Sequence, residues 1–184
     1  KGKIFMVGQN TTYLIGFIVC LSLFGGCSST MGIPATSSTE SMVIVPAGWF
    51  TMGRDDQRRS NQPQRRVYLD TYSIDHTEVT NAAYAHFLAE TNYQPVRGWD
   101  MKLENDHPTE PVTGMLWHEA EAYCRWVGKR LPSEAEWEKA ARGTDARTYP
   151  WGDTWDASWA NTAEGAVGDV QPVASYPQGA SPYG

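Results

Sequence analysis

Hydrophobic positions fall into two regimes along the chain. Up to residue 27 they form one block, in which Tyr13-Leu-Ile-Gly-Phe-Ile-Val-Cys-Leu-Ser-Leu-Phe24 follows a start carrying Lys1 and Lys3 and precedes Gly25-Gly26-Cys27. From Met42 onward they recur at short periods. Met42-Val-Ile-Val-Pro-Ala-Gly-Trp-Phe-Thr-Met-Gly53 predicts two β runs broken at Pro46-Ala47-Gly48, as a hairpin or tight bend. Val67-Tyr-Leu-Asp-Thr-Tyr-Ser-Ile-Asp75 alternates as a further strand pair or one bent strand. Tyr84, Phe87 and Leu88 share a face at helical spacing behind Thr80, which is placed to cap a first helix over about 81–90. Leu116, Ala120, Tyr123, Cys124 and Val127 make an amphipathic stripe that Gly128 ends, so a second helix runs over about 117–127. Ser133-Glu-Ala-Glu136 has the form of a capping box, and a third helix follows it to about Arg142, stopped by Gly143. Between the first two helices, residues 92–111 lack periodicity and contain Pro95, Gly98, Pro108 and Pro111, which predicts a long surface loop. After residue 156 only loops and very short strands fit, and no internal repeat is visible. The pattern as a whole predicts one α+β domain with little regular structure.

The first block reads as an export leader: a positive start, a short apolar run, then small residues before a cut. Its 12 apolar-region residues are too few for a permanent span, which needs about 20. Phe24-Gly-Gly-Cys27 resembles the bacterial lipobox, in which the cysteine is acylated and becomes the mature N-terminus. Residues 28–41 are rich in Ser, Thr, Gly and Pro, as expected of a flexible tether from membrane to domain. This division places a leader at 1–27, a tether at 28–41 and the domain at 42–184. It implies attachment to a lipid membrane through acylated Cys27, in the bacterial cell envelope, facing the periplasm or exterior. On this reading Cys20 leaves with the leader, Cys27 is lipidated, and Cys124 stays alone, so no intramolecular disulfide is expected.

Composition narrows the function classes. The net charge of −6 makes nucleic acid an unsuitable partner. Eight Trp and nine Tyr among 17 Gly and 11 Pro indicate loops packed by aromatics, and those around Trp99 and over Trp151 to Trp159 suit either a core or a ligand cleft. Glu134, Glu136 and Glu138 cluster, but capping and the positive helix end account for the first two, and Glu134 and Glu138 lie a turn apart on a surface. His76, His86, His107 and His118 lack metal-binding spacing. Neither a nucleophile elbow nor a phosphate loop or dinucleotide fingerprint is present. Cys124, on the apolar face of its helix, reads as a small buried hydrophobe rather than a nucleophile.

Several blocks then carry a resemblance. Gly48 to Gly53, Glu78-Val-Thr-Asn81, the run from Pro111 to Gly143 with its Arg-Leu-Pro-Ser-Glu-Ala-Glu-Trp-Glu core, Tyr149-Pro-Trp-Gly-Asp153 and Ala160-Asn161 occur in one order over nearly all of residues 42–184. In that order they resemble the N-terminal and middle part of the sulfatase-modifying-factor, or formylglycine-generating-enzyme, domain. The resemblance implies a C-type-lectin-like α+β fold. It also implies structural calcium, with Asn161 and the backbone of Thr162 matching one ligand pair and either Glu164 or Asp169 as a following carboxylate. Cys124 matches a position that can be disulfide-bonded in secreted members, but its partner is missing here. The cysteine pair that holds copper in catalytic members would fall beyond Gly184, so no catalytic residue is assigned in this chain. The implied activity of a complete form is oxidation of a protein cysteine with oxygen, on a protein or peptide substrate. The alternative is a non-catalytic, lectin-like lipoprotein serving binding or envelope assembly.

Overall fold

A computed structural model describes residues 19–22, 41–55, 63–96, 99, 106–165 and 168–184. Five strands and three α-helices organise them. β1 (Leu21–Ser22), β5 (Tyr72–Asp75) and β2 (Met42–Val45) form one antiparallel sheet in the order β1-β5-β2. β3 (Gly48–Met52) and β4 (Arg65–Leu69) form a second, two-stranded antiparallel sheet. The break at Pro46-Ala47-Gly48 is thus a bend that passes the chain between sheets and not a hairpin. Buried Lys139 fixes the bend, its Nζ donating to the carbonyls of Pro46 (2.6 Å) and Gly48 (3.1 Å). The two expected strands after residue 64 are likewise divided between the sheets, with Asp70 and Thr71 at the crossing.

The helices form where local signals place them. α1 spans Asn81–Thr91, capped by Thr80 Oγ1, which accepts from Ala83 N at 3.2 Å. α2 spans Trp117–Trp126; Glu119, almost wholly buried, reaches back to accept from Leu116 N while its other oxygen accepts from Val96 N. One carboxylate therefore starts the helix and pins the beginning of the loop that precedes it. α3 spans Glu134–Arg142 behind the expected capping box: Glu136 N donates to Ser133 Oγ, and Glu136 Oε2 accepts from Ser133 N at 2.8 Å. Gly143 follows at φ +70°, a backbone region that favours glycine. Among the described residues no helix is long and apolar enough to cross a membrane.

Two apolar clusters make the core. Val79, Tyr84, Phe87, Val112, Ala120 and Tyr123 bury the facing sides of α1 and α2, and Trp99 packs on Tyr84 edge to face at 5.7 Å. Trp99 is therefore a core contact. The second cluster, Leu21, Val45, Tyr72, Ile74 and Ala140, joins the three-stranded sheet to α3. Burial pushes the Tyr72 hydroxyl's pKa well above its ordinary value, and that hydroxyl donates to the carbonyl of Glu136 at 2.6 Å.

One expectation is corrected here. Cys124 is not alone: it is bonded to Cys20, and both are fully buried. Cys20 was set aside as part of a leader, yet the chain around it is an edge strand. Leu21 and Arg130 exchange backbone hydrogen bonds at 2.6 and 2.9 Å, and Cys20 N donates to Asp75 Oδ2 at 2.9 Å. Lys129 pairs with the other oxygen of Asp75, whose side chain is shielded from solvent. A two-residue strand has no periodicity of its own, so within an apolar run it carries no signal distinct from a leader's. The remainder of the proposed leader, Cys27 and nearly all of the tether lie outside the described residues.

Candidate functional site

A concavity lies where α3 meets the end of β3. One turn apart on α3, Glu138 and Arg142 form an ion pair, and Glu138 Oε1 also accepts from Gly53 N at 2.7 Å. Glu138 is thus a connector between hairpin and helix rather than the solvated surface group its spacing suggested. Arg142 donates onward to the carbonyls of Arg147 (2.6 Å) and Ala146 (3.0 Å), so the turn after the helix closes back on it. Ala146 is held at φ +63° in this turn, an uncommon backbone state for a residue with a Cβ. Between them opens a polar cleft of about 280 Å³, lined by Gly53, Arg54, Asp55, Gln64, Arg142, Ala146, Thr148 and Asp153.

The electrostatics of the cleft are fixed by hydrogen bonds. Asp153 Oδ1 accepts from Thr148 N (2.8 Å) and Thr148 Oγ1 (2.9 Å); these bonds, with the charge of Arg54, hold its carboxyl below the usual range. Beside the cleft, Arg147 draws Asp145 down to about 2. At neutral pH the walls therefore present ionised carboxylates and guanidinium groups, and the lining contains neither Cys nor His. Such a cleft suits a small polar ligand; among the described residues its lining holds no Cys or His to exchange protons near neutrality. Sequence spacing could not reveal it, because its walls come from Gly53, Arg54, Asp55 and Gln64 on one side and from Arg142, Ala146, Thr148 and Asp153 on the other.

The Asn161–Thr162 loop is a separate place. Asn161 Nδ2 donates to the carbonyl of Asp169 at 2.8 Å, so these two residues are neighbours. Glu164 points elsewhere, its Oε2 accepting from Trp155 Nε1 at 2.7 Å. Thr162 Oγ1 is buried without a hydrogen-bond partner, and the Thr162 carbonyl accepts from Gly165 N. Asn161 Oδ1, the Thr162 oxygens and the Asp169 carboxylate give hard oxygen donors on one loop, in partial fit to calcium. Among the described residues no three His, Cys, Asp or Glu side chains converge. For copper the fit fails: Cys20 and Cys124 are spent in a disulfide and offer no thiolate. Between cleft and loop, Tyr149, Trp151, Trp155 and Trp159 pack ring on ring, with Tyr149 and Trp151 stacked at 5.4 Å. These aromatics form a local half-buried cluster that ties the turn at 149–152 to the loop.

Comparison with known proteins agrees with this architecture. The model of the sulfatase-modifying factor enzyme 1-like domain matches residues 29–184. The formylglycine-generating enzyme of Bos taurus is 31% identical over 195 residues, covering 74% of this chain and 52% of its own. The bovine inactive C-alpha-formylglycine-generating enzyme 2 is also 31% identical, over 87% of this chain and 70% of its own. Among solved structures, PvdO from Pseudomonas aeruginosa superposes with a TM-score of 0.58 at 25% identity, over 76% of this chain and 65% of that one. The chain spans about half the length of the bovine enzyme.

Proposed function

This chain belongs to the sulfatase-modifying factor enzyme 1-like family, and from that premise we propose that the complete protein is a formylglycine-generating-type oxidase acting on a cysteine of a protein or peptide with oxygen. The observation that carries the reading is the family match over residues 29–184. In this reading the described residues supply scaffold: α3, the Glu138–Arg142 pair and the turn at 149–153 hold a rigid polar wall. Copper would supply the oxygen chemistry, and its thiolate ligands would belong to another part of the protein. The test is incubation of the full gene product with copper(I), oxygen and a sulfatase peptide bearing the target cysteine. An aldehyde trapped by an aminooxy reagent, absent without oxygen, is expected; an unchanged peptide rejects the activity.

A second reading is favoured by one specific observation. The bovine inactive relative is as similar as the active one and matches over more of its length. The residues in hand thus serve a non-catalytic, lectin-like binding or envelope-assembly lipoprotein equally well, and an unchanged peptide in the assay above would support it.

Two accompanying proposals concern location and metal. Export is supported by the disulfide, which persists in oxidising compartments. Acylation of Cys27 is tested by labelling wild type and Cys27→Ala with a clickable fatty acid; equal labelling rejects it. Calcium is proposed at Asn161 and Thr162, with Asp169 in preference to Glu164 because Glu164 is held by Trp155.

A further inference from the structure

The β3–β4 hairpin has two unlike faces. Its inner side buries Phe50 and Met52 in the domain interior, whereas its outer side presents Trp49, which is 54% exposed, and Tyr68, which is 50% exposed. Register makes these two direct cross-strand partners, and their rings meet edge to face at 5.5 Å. Arg66, two residues from Tyr68 on the same face, lies with its guanidinium 5.2 Å from the centre of the Trp49 ring. Among the described residues, neither Arg66 nor its neighbour Arg65 has a carboxylate within ion-pair distance, and β3 and β4 pair only with each other.

These features differ from an ordinary solvated strand. Trp, Tyr and Arg are the side chains that concentrate binding energy at protein interfaces, the aromatic pair through large rigid surfaces and Arg through its planar, multidentate guanidinium. A guanidinium stacked on an indole is held in one plane, with its N–H edges still able to grip a carboxylate. The chain as a whole carries a net charge of −6, so a cation with no acidic partner among the described residues stands against the general field and marks where an anion is accepted. The sheet edge beside it, unpaired among the described residues, offers backbone donors and acceptors to an extended segment.

We propose that the outer face and open edge of the β3–β4 hairpin dock an extended acidic segment of another protein. The Trp49–Tyr68 pair is the apolar anchor, and Arg66 receives a carboxylate. The interaction is independent of the oxidase reading, since no residue of the polar cleft takes part.

The test uses the full gene product and a fluorescein-labelled ten-residue peptide of alternating Glu and Tyr, beside a Lys-and-Tyr counterpart, a sulfated polysaccharide and anionic lipid vesicles. Wild type should bind the acidic peptide, with affinity falling as salt is raised. Arg66→Glu and Trp49→Ala should each weaken binding by about tenfold or more. Trp117→Ala, which alters an equally exposed indole at the start of α2, should bind as wild type does. All three substitutions lie at the surface, and unchanged melting temperatures would show that the fold is intact. Equal binding by Arg66→Glu and wild type, no binding by wild type, or preference for the Lys peptide, the polysaccharide or the vesicles would each overturn the proposal.

Discussion

Glu136 closes the α3 capping box and grips Arg130 through both oxygens, at 2.6 and 2.8 Å. Burial alone would raise its pKa, but the Arg130 and Ser133 hydrogen bonds outweigh that and lower it to about 2. A carboxyl depressed in the folded state contributes stability that is complete above its ordinary pKa and is lost as pH falls through the folded value. Glu136→Gln should therefore cost about 2–3 kcal/mol at neutral pH, and the gap from wild type should close between about pH 5 and pH 2. Melting curves across that range check it, and a gap constant with pH would reject the ionic account. Ser133→Ala, which removes only the capping hydroxyl, should cost about 1 kcal/mol by urea denaturation. At Gly179 the constraint is closeness rather than φ: a Cβ there would lie 1.9 Å from the carbonyl oxygen of Trp159. Because that neighbour is backbone, Gly179→Ala should cost about 1–3 kcal/mol. An unchanged urea midpoint would exclude this contact.

Among the elements, β1 pairs with β5 and is preceded by Cys20, which bonds it covalently to α2. Cutting its tie with Cys124→Ser should destabilise the domain by about 2–5 kcal/mol, and should leave Cys20 as a buried free thiol that is alkylated only once the protein is unfolded. Equal melting temperatures of variant and wild type would refute that role. The helices were legible in sequence because their signals are local: Thr80, the Ser133/Glu136 pair, Gly128 and Gly143 each act within a few residues. Sheet membership was not, since whether the chain at residues 46–48 folds back or crosses over depends on Lys139, 93 residues further on. The polar cleft was hidden for the same reason, the Glu138 contact with Gly53 joining positions 85 apart. Glu119 reads from sequence as part of a helix start, yet its second oxygen holds Val96, a partner that no helical periodicity indicates.

For the whole molecule, the calcium proposal makes a prediction of its own. If Asn161, Thr162 and Asp169 hold the ion, adding calcium to chelator-treated protein should raise the melting temperature, and Asp169→Asn should abolish the rise while Glu164→Gln leaves it. A rise equal in all three proteins would place the ion elsewhere; no rise in wild type would remove the proposal. The family's order of motifs was visible in sequence because it runs along the chain. The pairing of Cys20 with Cys124 was not, because it joins two regions that composition assigns to different fates.

That bond spans 104 residues and makes the chain between its ends a covalent ring. Cys27 lies inside the ring. If oxidation comes first, a single peptide-bond cut ahead of Cys27 opens the ring without separating the pieces. The segment carrying Cys20 would stay fastened to α2, and a newly exposed Cys27 could still be acylated. Cut and uncut molecules would then share one mass apart from the added water and acyl groups until a reductant is added, when only the cut ones would release a small peptide. The order of two covalent events, oxidation and cleavage, would thus determine whether β5 keeps β1 beside it.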